Sequence, residues 1–202
     1  MILKEETKVA QTALPLEVFK QHLRLGTGFA ADAVQDAVLE GYLRAALAAI
    51  EGRTGKALIA REFSCRFDVW REESGQSLPL APVKRILELS VVDADDNLTI
   101  VPAERYRLSQ DFQRPRILTR GSYLPTIPQD GFAEIYFIAG FAEDWAGLPE
   151  DLAQAVLLLA AHFYEFRHHS AEGSSEIPFG VDCLIERYRT VRSFGRIGAC
   201  AV

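Results

Sequence analysis

Glu165 and His168 stand three residues apart, the spacing that puts a carboxylate and an imidazole on one helix face, where metal-carboxylate bundles hold iron. Such a centre needs the motif twice plus two further glutamates, and the chain has no second copy. The plain reading is the polar end of a buried helix. His169 points away from its neighbour on a helix and adds no second ligand on that face. His162 falls on an apolar stretch and reads as a packed or interface histidine. A thiol nucleophile would need a partner histidine and an orienting group. Cys65 alternates inward with Phe63 and Phe67, Cys183 precedes Leu184-Ile185 and reads as core, and Cys200 lies near the end of the sequence. No nucleophile elbow or phosphate-binding loop is present, and Leu25-Gly26-Thr27-Gly28 lacks both the third glycine and a preceding strand. Acid pairs such as Glu72-Glu73 and Asp95-Asp96 are ordinary turn residues. No catalytic centre, metal site or cofactor is expected.

A more telling group lies near the C-terminal end, where Arg187, Arg189, Arg192 and Arg196 interleave with Tyr188 and Phe194. Arginine mixed with aromatic residues suits nucleic acid or a protein interface, and a solvated helix face is the bland alternative. The 202 residues carry 28 acids against 22 basic residues, a formal net charge of −6, which favours a protein partner over DNA.

The elements that must position these residues fall into three sections. The first is helical. A short amphipathic helix follows Pro15, and a long one spans about Ala31 to Glu51, with Asp32 as N-cap and Gly52 and Gly55 at its end. Val34, Val38, Tyr42, Ala45 and Ala49 form one apolar face of the long helix, which Leu39, Leu43, Leu47 and Ile50 widen. The middle, about 57–140, reads as strands: Phe63 to Val69, Ile86 to Val92 turning through Asp93–Asn97 into Leu98 to Val101, Tyr106 to Leu108, Arg116 to Thr119, and Ala133 to Ala139. The last section is helical again. Pro149-Glu150-Asp151 is a strong helix start for a segment running to about Arg167, apolar nearly all round at Val156 to Ala161. A short helix from Val181 to about Val191 precedes a flexible tail, 193–202. The expected fold is therefore α+β: one domain over 1–192, helical at 16–55 and 148–192, around a β-rich 57–140.

With 49% hydrophobic and 25% charged residues the composition is that of a globular protein able to bury a core. Three scattered cysteines favour a reducing cytoplasm at synthesis. No stretch approaches the roughly 20 apolar residues of a membrane span, so no membrane partner is expected.

Four ordered stretches carry a resemblance: Leu16 to Arg24, Ala45 to Gly55, Ile138 to Phe141 continuing at Leu148 to Val156, and Phe163 to Arg167 with Ile177 to Val181. Together, over about 14–192, they resemble the head–tail connector family of long-tailed phages, prophages and gene transfer agents. The resemblance implies a structural and non-enzymatic subunit with a helical connector core and a β-rich middle insertion. It implies a homo-oligomeric ring, generally dodecameric, docked beneath the portal protein and passing DNA through its lumen into the tail, with tail-side connector or terminator proteins as further partners. Its place would be the head–tail junction of a virion or phage-like particle. Portal binding is expected at Arg187, Tyr188, Arg189, Arg192, Phe194 and Arg196, and subunit contacts at Leu39, Leu43, Leu158 and His162. Another head-completion or tail-terminator protein is the alternative within this class, and a small metal-binding enzyme built on Glu165, His168 and His169 the alternative outside it.

Overall fold

The computed structural model describes residues 1–25, 33–167 and 177–189. Its elements run β1 (Ile2–Glu5), α1 (Leu16–His22), α2 (Ala33–Thr54), β2 (Arg61–Phe67), β3 (Gly75–Ser77), β4 (Val83–Val92), β5 (Leu98–Ile100), β6 (Tyr106–Ser109), β7 (Arg116–Thr119), β8 (Phe132–Ala139), α3 (Glu150–Glu165) and α4 (Phe179–Ile185). The α+β expectation holds in that coarse form.

The strands form two sheets. Five of them lie in the order β1-β2-β8-β4-β5 and three in the order β3-β7-β6, with every named pair antiparallel. β8 shows why: Ala133, Ile135, Phe137 and Ala139 are buried while the residues between them are half-buried, the alternation of a strand with one face on a core. That core joins both sheets, with Phe63, Cys65, Phe67, Leu89, Ile135 and Phe137 from the larger and Tyr106 and Ile117 from the smaller. β2 ends at Phe67, short of the expected Val69, which is 73% exposed.

The helices build a second core from Phe19, Leu39, Leu43, Ile50, Leu152, Val156, Leu159, Val181 and Ile185, among others. Lys20 fastens α1 to α2 through Asp36 at 2.7 Å. α2 runs on through Gly52 to Thr54, and Gly55 alone ends it. Gly55 has φ 66°, a left-handed conformation open to glycine, and its N–H donates to the Glu51 carbonyl at 2.8 Å. The expected N-cap, Asp32, lies outside the described residues, as does the tail at 193–202. After α4 the chain tightens into a 3-10 turn, Glu186–Tyr188, so the last helix starts and stops earlier than its sequence pattern suggested.

The two cores meet along 57–60 and 140–142. Phe141 donates to the Leu58 carbonyl at 3.0 Å, and Ala60 to that of Ala142 at 2.7 Å. Gly140 has φ 149°, and a Cβ there would stand 2.3 Å from the Ala60 Cα, so only glycine allows this close approach. Beside the seam the Arg61 guanidinium, 8% exposed, takes both oxygens of Glu51 on α2 (3.0 and 2.7 Å) and Glu5 on β1 (2.7 Å). One side chain thus ties helix, sheet edge and seam together.

Candidate assembly surfaces

Among the described residues, those that could do chemistry are not gathered into a reactive group. Glu165 is exposed at the last residue of α3, and its sequence partners His168 and His169 lie outside the described residues. Among the described residues no three histidines, cysteines, aspartates or glutamates are placed to hold a metal ion. Cys65 is buried in the β core, and burial pushes its thiol up to about 12, so it stays protonated at neutral pH. Cys183 departs from its expected core position and is exposed on α4. Cys200 is outside the described residues. A shallow cleft of about 530 Å3 beside Trp70 is lined by Asp68, Glu73, Tyr123 and Leu124 with no histidine or cysteine.

The C-terminal group divides. Tyr188 is not a displayed contact residue, because it is 2% exposed in the helical core. Its hydroxyl donates to the Asp151 carboxylate, 2.8 and 2.9 Å from the two oxygens, and its ring meets Phe141 edge-on at 5.5 Å. Burial, then the Asp151 hydrogen bond, push its phenol up to about 12. A tyrosine among arginines reads as interface in sequence, and its distance from α3 in the chain hid the carboxylate that claims it. Arg187 remains largely exposed, 3.4 Å from Asp151, and Arg189 pairs with Glu186 at 2.8 Å. Arg192, Phe194 and Arg196 lie outside the described residues.

The residues expected at subunit contacts fall in two environments. Leu39 and Leu43 are fully buried in the chain's own core and present nothing to a neighbour. Leu158 and His162 are half-buried on α3, with the imidazole 4.6 Å from the Phe166 ring. The apolar face that reaches solvent is the opposite side of α2. Val34 is 75% and Val38 48% exposed, and Gly41, Ala45 and Ala48 continue the same line in the open. The charged residues of α2 sit at its margins instead and are engaged: Asp36 with Lys20, Glu40 with Arg44, Glu51 with Arg61. A lone solvent-facing helix normally shows the reverse pattern. α2 therefore has two apolar faces, of which the described residues cover one.

Among the described residues there are thus two cores and an apolar helix face that reaches solvent. No protein-family model and no curated protein matches it. Solved structures do. It is 54% identical to a chain in the neck of an empty gene transfer agent particle computed with C6 symmetry, covering 96% of this chain and 98% of that one, with a TM-score of 0.88. A chain in the virion of a native gene transfer agent particle matches at 54% identity, with the same coverage and a TM-score of 0.85. A third, in the neck of a native particle computed with C12 symmetry, is 50% identical, again covering 96% and 98%, with a TM-score of 0.83. The chain belongs to the family of these neck proteins, the head–tail connectors of phages and gene transfer agents.

Proposed function

We propose that this protein is the ring-forming connector that sits below the portal at the head–tail junction of a gene transfer agent or phage-like particle, joins head to tail and lets DNA pass. The observation that carries this reading is 54% identity along 96% of the chain to a particle neck component. In this reading the helices form the connector core and the strand-rich middle is its insertion. The ring is a closed set of head-to-tail contacts in which two unlike patches of neighbouring copies meet. The solvent-facing side of α2, with Val38, Ala45 and Ala48, is one of those patches, alongside Leu158 and His162 of α3. The segment beyond Arg189, with Arg192, Phe194 and Arg196, reaches the portal, and Tyr188 on Asp151 is the anchor from which it departs. An overall net charge of −6 accords with a subunit that does not hold the phosphates sliding past it. Tail-side neck proteins contact the other end.

Native mass spectrometry of the chain, alone and with the portal protein of the same genome, tests the reading. A discrete ring, or a stoichiometric complex formed with the portal, is expected. A monomer indifferent to the portal, and absent from particles purified from the same cells, overturns it.

A further inference from the structure

Among the described residues both edges of the five-stranded sheet are open. The order β1-β2-β8-β4-β5 leaves the outer sides of β1 and β5 without a neighbouring described strand, and the two edges are unlike in sequence. They lie on opposite flanks, roughly 19 Å apart at the usual ~4.8 Å between strands. Because each pair in the sheet is antiparallel, β1, β8 and β5 run in one direction.

Both edges are also apolar. Ile2 is 62% and Leu3 41% exposed on β1, and Leu98 is 55% and Ile100 57% exposed on β5. The register places the two isoleucines at the ends of one lateral row, Ile2–Arg66–Glu134–Ser90–Ile100, so both project from the same face. Exposed strand edges invite pairing with another chain, and proteins that must stay apart blunt them with lysine, proline or bulges. β5 contains none of these, and the single lysine of β1, Lys4, is held by Glu6 at 2.8 Å.

Two different sticky edges on opposite flanks of one sheet cannot satisfy each other across a twofold axis without leaving a pair unused. Head to tail, they use both, which is the arrangement a closed ring requires. We propose that β5 of one copy pairs in parallel with β1 of the next, setting Ile100 beside the neighbour's Ile2 on a shared face. The inference rests on the ring reading above, and six- and twelve-fold necks of similar chains make a second copy the occupant. Strands of three and four residues offer only a few backbone hydrogen bonds each, so the apolar side chains supply much of the contact and closure of the ring holds it.

Disulfide trapping in assembled particles tests the pairing. In a Cys183→Ser, Cys200→Ser parent, Ile100→Cys is combined in turn with Ile2→Cys, the partner the register names, and with the flanking Leu3→Cys or Lys4→Cys, since directly neighbouring positions on paired strands bring Cα atoms within disulfide reach. All four positions are exposed, so folding is little affected. At least one double variant should give, on mild oxidation, a ladder of covalent multimers extending beyond the dimer, while each single variant gives none. Particles that contain the double variants yet show no cross-link overturn the edge pairing and leave the ring standing. Cross-linking that stops at dimers, or arises from one site alone, overturns it as well, by revealing a twofold contact. Absence of the unsubstituted parent from particles overturns the connector reading itself.

Discussion

Replacing Val38 and Ala45 of α2 by arginine separates what holds one copy together from what holds copies to each other. Both positions are exposed, and arginine is a better helix former than valine, so the isolated chain should keep its stability to within about 0.5 kcal/mol. The contact between copies should suffer far more. Val38 exposes about half of a valine, whose full burial is worth about 1.5–3 kcal/mol, so roughly 1 kcal/mol goes with its side chain. An arginine brought into that contact without a partner costs a further few kcal/mol, or keeps the surfaces apart. The loss is at least roughly 3 kcal/mol per contact, more than a hundredfold in affinity at about 1.4 kcal/mol per decade. Chemical denaturation of the purified chain measures the first effect. Incorporation into particles, by quantitative immunoblot against the portal protein, measures the second. Normal incorporation of the double variant would refute the reasoning. So would a clear drop in the chain's own stability, because it would mean this face is already packed.

Four further outcomes follow from the geometry. Tyr188→Phe leaves the half-buried Asp151 carboxylate without its hydroxyl donor and should cost about 1–2 kcal/mol, read by denaturant melts, with earlier proteolysis near the C-terminal end. Arg61→Ala strands Glu51 at the seam and should cost about 3 kcal/mol or more, whereas Arg116→Ala, at an exposed pair with Glu72, should cost under about 1 kcal/mol. Gly140→Ala forces backbone against backbone at Ala60 and should lower the yield of folded protein sharply, measured by soluble expression and thermal melting. The carboxyls of Glu6, Asp93 and Asp111 are held below their ordinary range by hydrogen bonds from Lys4 and Ser64, from Asn97, and from the Arg114 and Gln113 amides respectively. Their contribution is therefore full above the ordinary carboxylate range and is lost as pH falls through it. Tyr188, shifted the other way, stabilises fully below about pH 10 and loses its contribution as pH rises through about 12. Melting curves across pH should thus sag at both extremes, and Tyr188→Phe should flatten the alkaline side.

Some of this was legible from the residues and some was not, for reasons that differ by element. β8 and the β4–β5 turn were readable because alternation and a polar Asp93–Asn97 turn are local signals, and Asp93 does accept from Asp95 and Asn97 as such a turn requires. β1 was not, since all four of its residues are exposed and no burial period exists to detect. β3 is three residues long and offers too short a pattern. On α2 the period was legible and the side that faces the chain's own core was not. With apolar residues on both faces, nothing local says which one its own core will take, and the packing of α1 and α3 decided it. The contacts of Arg61 with Glu51 and of Tyr188 with Asp151 join residues 10 and 37 positions apart, and no local rule relates such pairs.

Asp151 has a mechanical consequence. Its Oδ1 accepts from the Leu152 amide at 2.9 Å in the first turn of α3, while both oxygens lie within reach of the Tyr188 hydroxyl and Arg187 stands beside them. A pull on the C-terminal segment is therefore delivered to the opening turn of the most deeply buried helix. Because the Tyr188 ring is itself buried in the helical core against Phe141, that link cannot yield without disturbing the core. Load on the C-terminal segment is thereby shared between a core ring and the start of a helix, and is not borne by a surface contact alone.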